Sequence, residues 1–245
     1  SCVIAPMTTT PLTCLDLWFR AGSANEKEGE EGIAHFLEHM VFKGSYCNKA
    51  GDFDRKIEAL GGSSNAATGF DDVHFHVLVP HPVVDEALQL LLDLVIQPAL
   101  LPGAYEMERE VVLEEIAQHN DQPDEKVFQE LLSSCWPNHS YGRPILGNTK
   151  SLKASNPQLM RKFHKRLYTS QNCCISIAGH IPNNLENLIE NSLLSNLEDG
   201  KKYNQIDLNK SKLIFQKGRK ECEFERLESS RLIMAWPLPP ANEQK

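Results

Sequence analysis

His35-Phe36-Leu37-Glu38-His39 places two imidazoles and a carboxylate within five residues. The stretch Ile33 to Phe42 has helical periodicity, and a helix turns about 100° per residue. His35 and His39 therefore share one face, with Glu38 beside them on the same arc. Neutral imidazole nitrogen and carboxylate oxygen are donors that zinc accepts at about 2.0–2.2 Å. A catalytic zinc takes three protein ligands and leaves one position for water, so two histidines on one helix need a third ligand from elsewhere. Glu38 is then free to take the proton from the attacking water. The plainer reading makes all three surface groups, but Phe36, Leu37 and Met40 supply packing around them. The inverted order His-x-x-Glu-His is itself a zinc-protease signature.

A third ligand is expected from the helix Tyr105 to His119, which carries Glu106, Glu108, Glu110, Glu114 and Glu115. Val112 and Glu115 fall within about 40° of Glu108 around the axis, so these three share a face. Glu110 and Glu114 turn to the other side, towards solvent. Glu115 is the preferred ligand, and His119, one turn further on the same face, competes with it. Glu108 suits a supporting role, orienting a ligand imidazole from behind. His74 and His76 form an H-x-H pair on one strand face; a strand rim beside a cleft is the blander explanation. Vicinal Cys173-Cys174 has no other soft ligand nearby in sequence.

The elements that must hold these groups follow from pattern. Leu15 to Arg20 reads as a strand, with a turn at Ala21-Gly22-Ser23 and a charged loop from Asn25 to Glu31. After the motif helix come a helix over Asp52 to Leu60, ended by Gly61-Gly62, and a β-branched, alternating strand over Val73 to Val79. Helices are expected over Val83 to Ile96, Glu125 to Cys135, Pro157 to Tyr168 and Asn184 to Leu197, and a strand over Cys173 to Ala178. Glu198 to Lys212 is polar and weakly patterned, as in a linker. Two strand-like pieces follow, Cys222 to Leu227 and Arg231 to Leu238.

Length and composition bound the possibilities. The 245 residues allow one large domain or a domain with part of another, and 41% apolar residues support a packed core. A net charge of −8 argues against nucleic acid. The one basic cluster, Arg161 to Arg166, reads as a solvated helix face. No run approaches the roughly 18 apolar residues of a membrane span, and Ala87 to Ala99 is interrupted by Gln89, Asp93 and Gln97. Seven cysteines without CxxC spacing suggest reduced thiols, hence a cytoplasmic or a stroma- or matrix-like reducing compartment. No signal peptide is visible at the N-terminus.

Taken in order, these residues resemble the pitrilysin/insulysin family of zinc metallopeptidases, nearest its processing-peptidase branch. The resemblance rests on His35 to Met40, on Glu115 within Glu108-Arg109-Glu110-Val111-Val112-Leu113-Glu114-Glu115, and on three supporting blocks: Leu17 to Ser23, Gly61 to Thr68 and Tyr141 to Ile145. It implies zinc held by His35, His39 and Glu115, Glu38 as general base, and Glu108 as the supporting carboxylate. It also implies that Ser64, Asn65, Ala66, Ala67 and Thr68 form an edge strand that pairs with an extended peptide. The implied fold is α+β, a mixed, largely antiparallel sheet with helices on one side, forming one half of a two-half clamshell. Residues 1–212 would be the zinc-binding half, and 213–245 a linker and the opening strand of a second half. The expected partners are a peptide substrate and the second half, in cis or in trans; a homodimer is also allowed. Zn2+ is the expected cofactor, and the expected activity is endopeptidase hydrolysis of peptides or unfolded polypeptides. The rival readings are a non-catalytic peptide-binding subunit on the same fold, an inactive fragment that needs its second half, and a structural zinc site with four protein ligands.

Overall fold

Alternation along the strands decides which side of the sheet is covered. Leu15, Leu17 and Phe19 are buried on one side of β2 (Leu12–Phe19), while Asp16 and Trp18 between them are half-buried. β4 (Val73–Pro80) repeats the pattern, burying Val73, Phe75 and Val77 and leaving His74 and His76 on the other face. β5 (Cys173–Gly179) does the same with Ile175 and Ile177. With β1 (Cys2–Pro6) and β3 (Ser63–Thr68) the strands form one sheet, ordered β1-β5-β2-β4-β3. Only β1 and β5 run parallel; the other neighbours are antiparallel. The fold is thus α+β, with a mixed and largely antiparallel sheet. The structure is a computed structural model that describes residues 1–200, 214–223 and 229–239.

One core lies between the buried sheet face and the helices α1 (Ile33–Val41), α2 (Asp52–Ala59), α3 (Val84–Ile96), α4 (Pro102–Asp121) and α7 (Pro157–Leu167). Burial of Leu15, Phe75, Leu88 and Phe163 in this one cluster fixes the helices to one side of the sheet. α5 (Pro123–Cys135), α6 (Thr149–Ala154) and α8 (Leu185–Glu190) complete the described helices. Among the described residues, no helix is long and apolar enough to cross a membrane.

Several sequence expectations shift. The expected helix Asn184 to Leu197 is α8 followed by a short 3-10 turn over Leu193–Asn196. Polar side chains break it: Asn191 Nδ2 donates to Asn187 O at 2.8 Å, and Ser192 Oγ accepts from Leu194 N at 3.2 Å. Arg231 to Leu238 is not a strand. Among the described residues it has no sheet neighbour, and Leu232, Trp236 and Leu238 are 82%, 69% and 78% exposed. Cys222 and Glu223 are likewise outside any strand, and the rest of that expected piece lies outside the described residues, as does Lys201 to Lys212 of the expected linker. β1 and α6 have no counterpart in the sequence reading.

The motif helix α1 starts without a side-chain cap of its own. Gly32 adopts φ +90° there, and a Cβ on it would lie 2.5 Å from Leu146 O. The buried Glu26 caps the helix from outside: its Oε1 accepts from the N–H of Gly32 at 3.1 Å and of Ala34 at 2.9 Å. Glu30 then clamps this loop to α7, receiving Arg166 Nη1 at 2.9 Å.

Burial pushes the Glu26 carboxyl up to about 8, against the lowering effect of the two N–H donors. A carboxyl raised on folding stabilises fully below its unfolded value, and that contribution is lost as pH rises through the folded value. Glu26→Gln keeps an oxygen acceptor and carries no charge. The variant is expected to gain stability over the parent as pH rises from about 5 to about 9. Denaturant unfolding at both pH values checks this, and a gap between the two proteins that does not change with pH contradicts it.

Candidate metal centre

α1 and α4 meet through Phe36 and Tyr105, whose ring centroids are 4.6 Å apart. Both rings are fully buried. The Tyr105 hydroxyl is paired at 2.6 Å with Ser155 Oγ, beyond the end of α6. The ring contact holds α4 against α1. Val112 and Ile116 face the core, which leaves Glu108 and Glu115 directed at the motif helix.

Glu115 approaches both histidines: Oε1 lies 3.7 Å from His35 Nε2, and Oε2 lies 3.4 Å from His39 Nε2. One donor atom from each of His35, His39 and Glu115 lies within 4.8 Å of the others. Ligands of a tetrahedral ion with bonds near 2.0–2.1 Å stand about 3.3 Å apart, so these separations fit a zinc-sized ion. Burial, and then the neighbouring His39, depress the His35 pKa to about 4. The ring is therefore neutral at neutral pH, which is the form that binds a metal. The Glu115 side chain is 40% exposed, so the cluster opens to one side.

Glu108 stands behind the histidines, with its side chain 9% exposed. Its Oε1 is 3.0 Å from His39 Nδ1, which leaves Nε2 of that ring directed at Glu115. Its Oε2 is 2.8 Å from Lys43 Nζ. Lys43 was not singled out from sequence, although it lies one turn past His39 on the same face.

Glu38 is not part of the donor cluster among the described residues. Its Oε2 accepts a short hydrogen bond from Thr68 Oγ1, at the end of β3. Burial raises its pKa, against the lowering effects of Thr68 and His39. Ser64, Ala66 and Thr68 turn toward the helices, while Ser63, Asn65 and Ala67 are exposed. Among the described residues β3 pairs with β4 alone, so it is an edge strand of the described sheet. His119, the competing ligand, lies 3.2 Å from Glu125 Oε2 instead. Glu110 and Glu114 are exposed.

Residues 2–149 match the family model described as insulinase (peptidase family M16), and residues 155–245 match that of the peptidase M16 inactive domain. The second match begins inside the folded body, since β5 pairs with both β1 and β2. An uncharacterized zinc protease of Rickettsia bellii is 34% identical over 192 residues, covering 78% of this chain and 46% of the relative. The mitochondrial-processing peptidase subunit beta of Dictyostelium discoideum is 30% identical over 189 residues, covering 77% of this chain and 40% of that subunit. Among solved structures, a protease from Helicobacter pylori superposes with a TM-score of 0.77 at 27% identity, covering 81% of this chain and 48% of that one. The chain thus spans about half the length of the curated relatives it matches.

If the cluster holds zinc, Glu108→Gln should weaken it by about 10-fold, because the ring of His39 loses its charged partner. Zinc retention under competition with a chromogenic chelator measures this. Unchanged affinity would argue against the orienting role.

Proposed function

The chain belongs to the insulinase family of peptidases, family M16, and from that premise we propose that it is the zinc-binding half of an endopeptidase acting on peptides or unfolded polypeptides. The observation that carries this reading is a division of labour on one helix. His35 and His39 join Glu115 as a donor set, while Glu38, beside them, is held by Thr68 outside that set. A structural zinc site would call for four protein ligands, and among the described residues the cluster offers three.

Zinc bound there would polarise the scissile carbonyl and lower the pKa of water towards about 7. The protein's own groups do the rest. Glu38 takes the proton from the attacking water on a carboxylate oxygen and returns it to the leaving amine. Burial makes this carboxylate a stronger base than a solvated one, and the Thr68 hydroxyl holds its Oε2 in place. Glu108 and Lys43 keep Nε2 of His39 directed at the donor cluster. The free edge of β3 offers backbone N–H and C=O groups to an extended peptide, so Ser64 to Thr68 would align the substrate beside Glu38.

Residues 1–212 form the zinc-binding half in this reading, and 213–245 lead into a second half supplied in cis or in trans. The 46% share of the Rickettsia relative supports a second half, and it favours a second reading in which this chain alone binds zinc but cleaves only when that half is present. The free cysteines and the mitochondrial relative support a reducing cytoplasm or matrix as the compartment.

Glu38→Gln, assayed with the second half present, should cut hydrolysis of an unfolded peptide by roughly 100- to 10,000-fold while zinc content stays at the parent value. Either loss of zinc in the variant or unimpaired turnover would contradict the assignment of Glu38.

A further inference from the structure

The histidine pair of β4 takes no part in that reading. Both rings lie on the sheet face opposite the helices, because Val73, Phe75 and Val77 fill the covered face. The antiparallel register sets Asp16 of β2 across from His76, and Trp18 across from His74. Asp16 Oδ1 lies diagonally 2.9 Å from His74 Nδ1. Trp18 stacks on His74 with ring centroids 4.2 Å apart and planes 12° from parallel. The rings of His74 and His76 stack in turn at 5.7 Å and 18°. One oxygen of Asp16 and one ring nitrogen from each histidine fall within 4.8 Å of each other. Among the described residues, the His76 ring nitrogens have no hydrogen-bond partner.

We propose that Asp16, His74 and His76 form a second divalent-metal site, on the helix-free face of the sheet and separate from the cluster on α1 and α4. Two imidazoles and a carboxylate suit a borderline ion such as zinc, cobalt or nickel better than magnesium or calcium, which prefer all-oxygen shells. The backbone is already fixed for the purpose. β2 is paired on both sides by β5 and β4, and β4 by β2 and β3, so no strand must move to bring the donors together. Stacking on Trp18 limits rotation of the His74 ring. The side chains of Asp16 and His74 are 22% and 23% exposed, which leaves positions on the ion open to water. Asn65 on β3 and Ser176 on β5 flank the donors in register, with His76 and Asp16 respectively. The ion would thus sit one strand inward from the edge strand β3.

The test is metal stoichiometry, which does not depend on hydrolysis. Chelator-stripped chain dialysed against zinc should take up two ions, and a His35→Gln, His39→Gln double variant should retain one. His74→Gln with His76→Gln should lower the parent count from two to one. Asp16→Asn, the milder change, should weaken the second ion by about 10-fold or more. Cobalt uptake followed by visible absorption reads the same count, and circular dichroism checks that each variant folds. A bound-ion count that does not fall when both β4 histidines are replaced overturns the site, whether the parent binds one ion or two.

Discussion

Glu108 reaches from α4 to two positions one turn apart on α1, meeting His39 through one oxygen and Lys43 through the other. The carboxylate is buried, so leaving it unpaired would cost several kcal/mol. Lys43 supplies the charge that makes its burial tolerable. His39 gains a fixed ring orientation from the same arrangement. The tie also sets the rotation and the height of α4 relative to α1, and this places Glu115, two turns further on, opposite both histidines. The Phe36 and Tyr105 rings press the two helices together. Packing brings the helices close, and the carboxylate decides which faces meet.

The sheet works differently, through alternation. Each strand hands one set of side chains to the core and the other to the open face, so a single register governs both sides. A one-residue slip of β4 would expose Phe75 and bury His74, which is why the apolar face holds the polar face in register. The polar groups opposite the core are therefore positioned as rigidly as the core itself. Thr68 shows this on the covered side: it is paired with Val73, and its hydroxyl reaches Glu38 only because β3 keeps that pairing.

Much of the centre was legible because helix periodicity is local. The spacing of His35, Glu38 and His39, and the shared face of Glu108 and Glu115, follow from the turn per residue alone. Glu115 lies beside both histidines, while His119 pairs with Glu125 of α5, a contact that helix periodicity alone does not give. Thr68, and Asp16 beside His74, were beyond reach because their contacts depend on the register of strands far apart in sequence. The Ser-Ser-Asn-Ala-Ala-Thr strand β3 has little β-propensity of its own, and it was read only through family resemblance. Arg231 to Leu238 shows the converse. Its residues have strand character, yet without a neighbour among the described residues they form no ladder, because strand formation needs a partner as well as a pattern.

The edge strand and the general-base candidate are coupled through one hydroxyl. Any peptide that pairs with the free edge of β3 lies along the backbone whose last residue, Thr68, holds Glu38. Displacement of β3 would then shift the carboxylate as well. In the proposed function, a peptide bound along that edge would exclude water from around Glu38, and a carboxylate that loses water becomes a stronger base. Occupancy of the strand and basicity of Glu38 would then be linked through the Thr68 hydroxyl. That link runs through side chains already fixed in the fold, so it requires no rearrangement of the sheet.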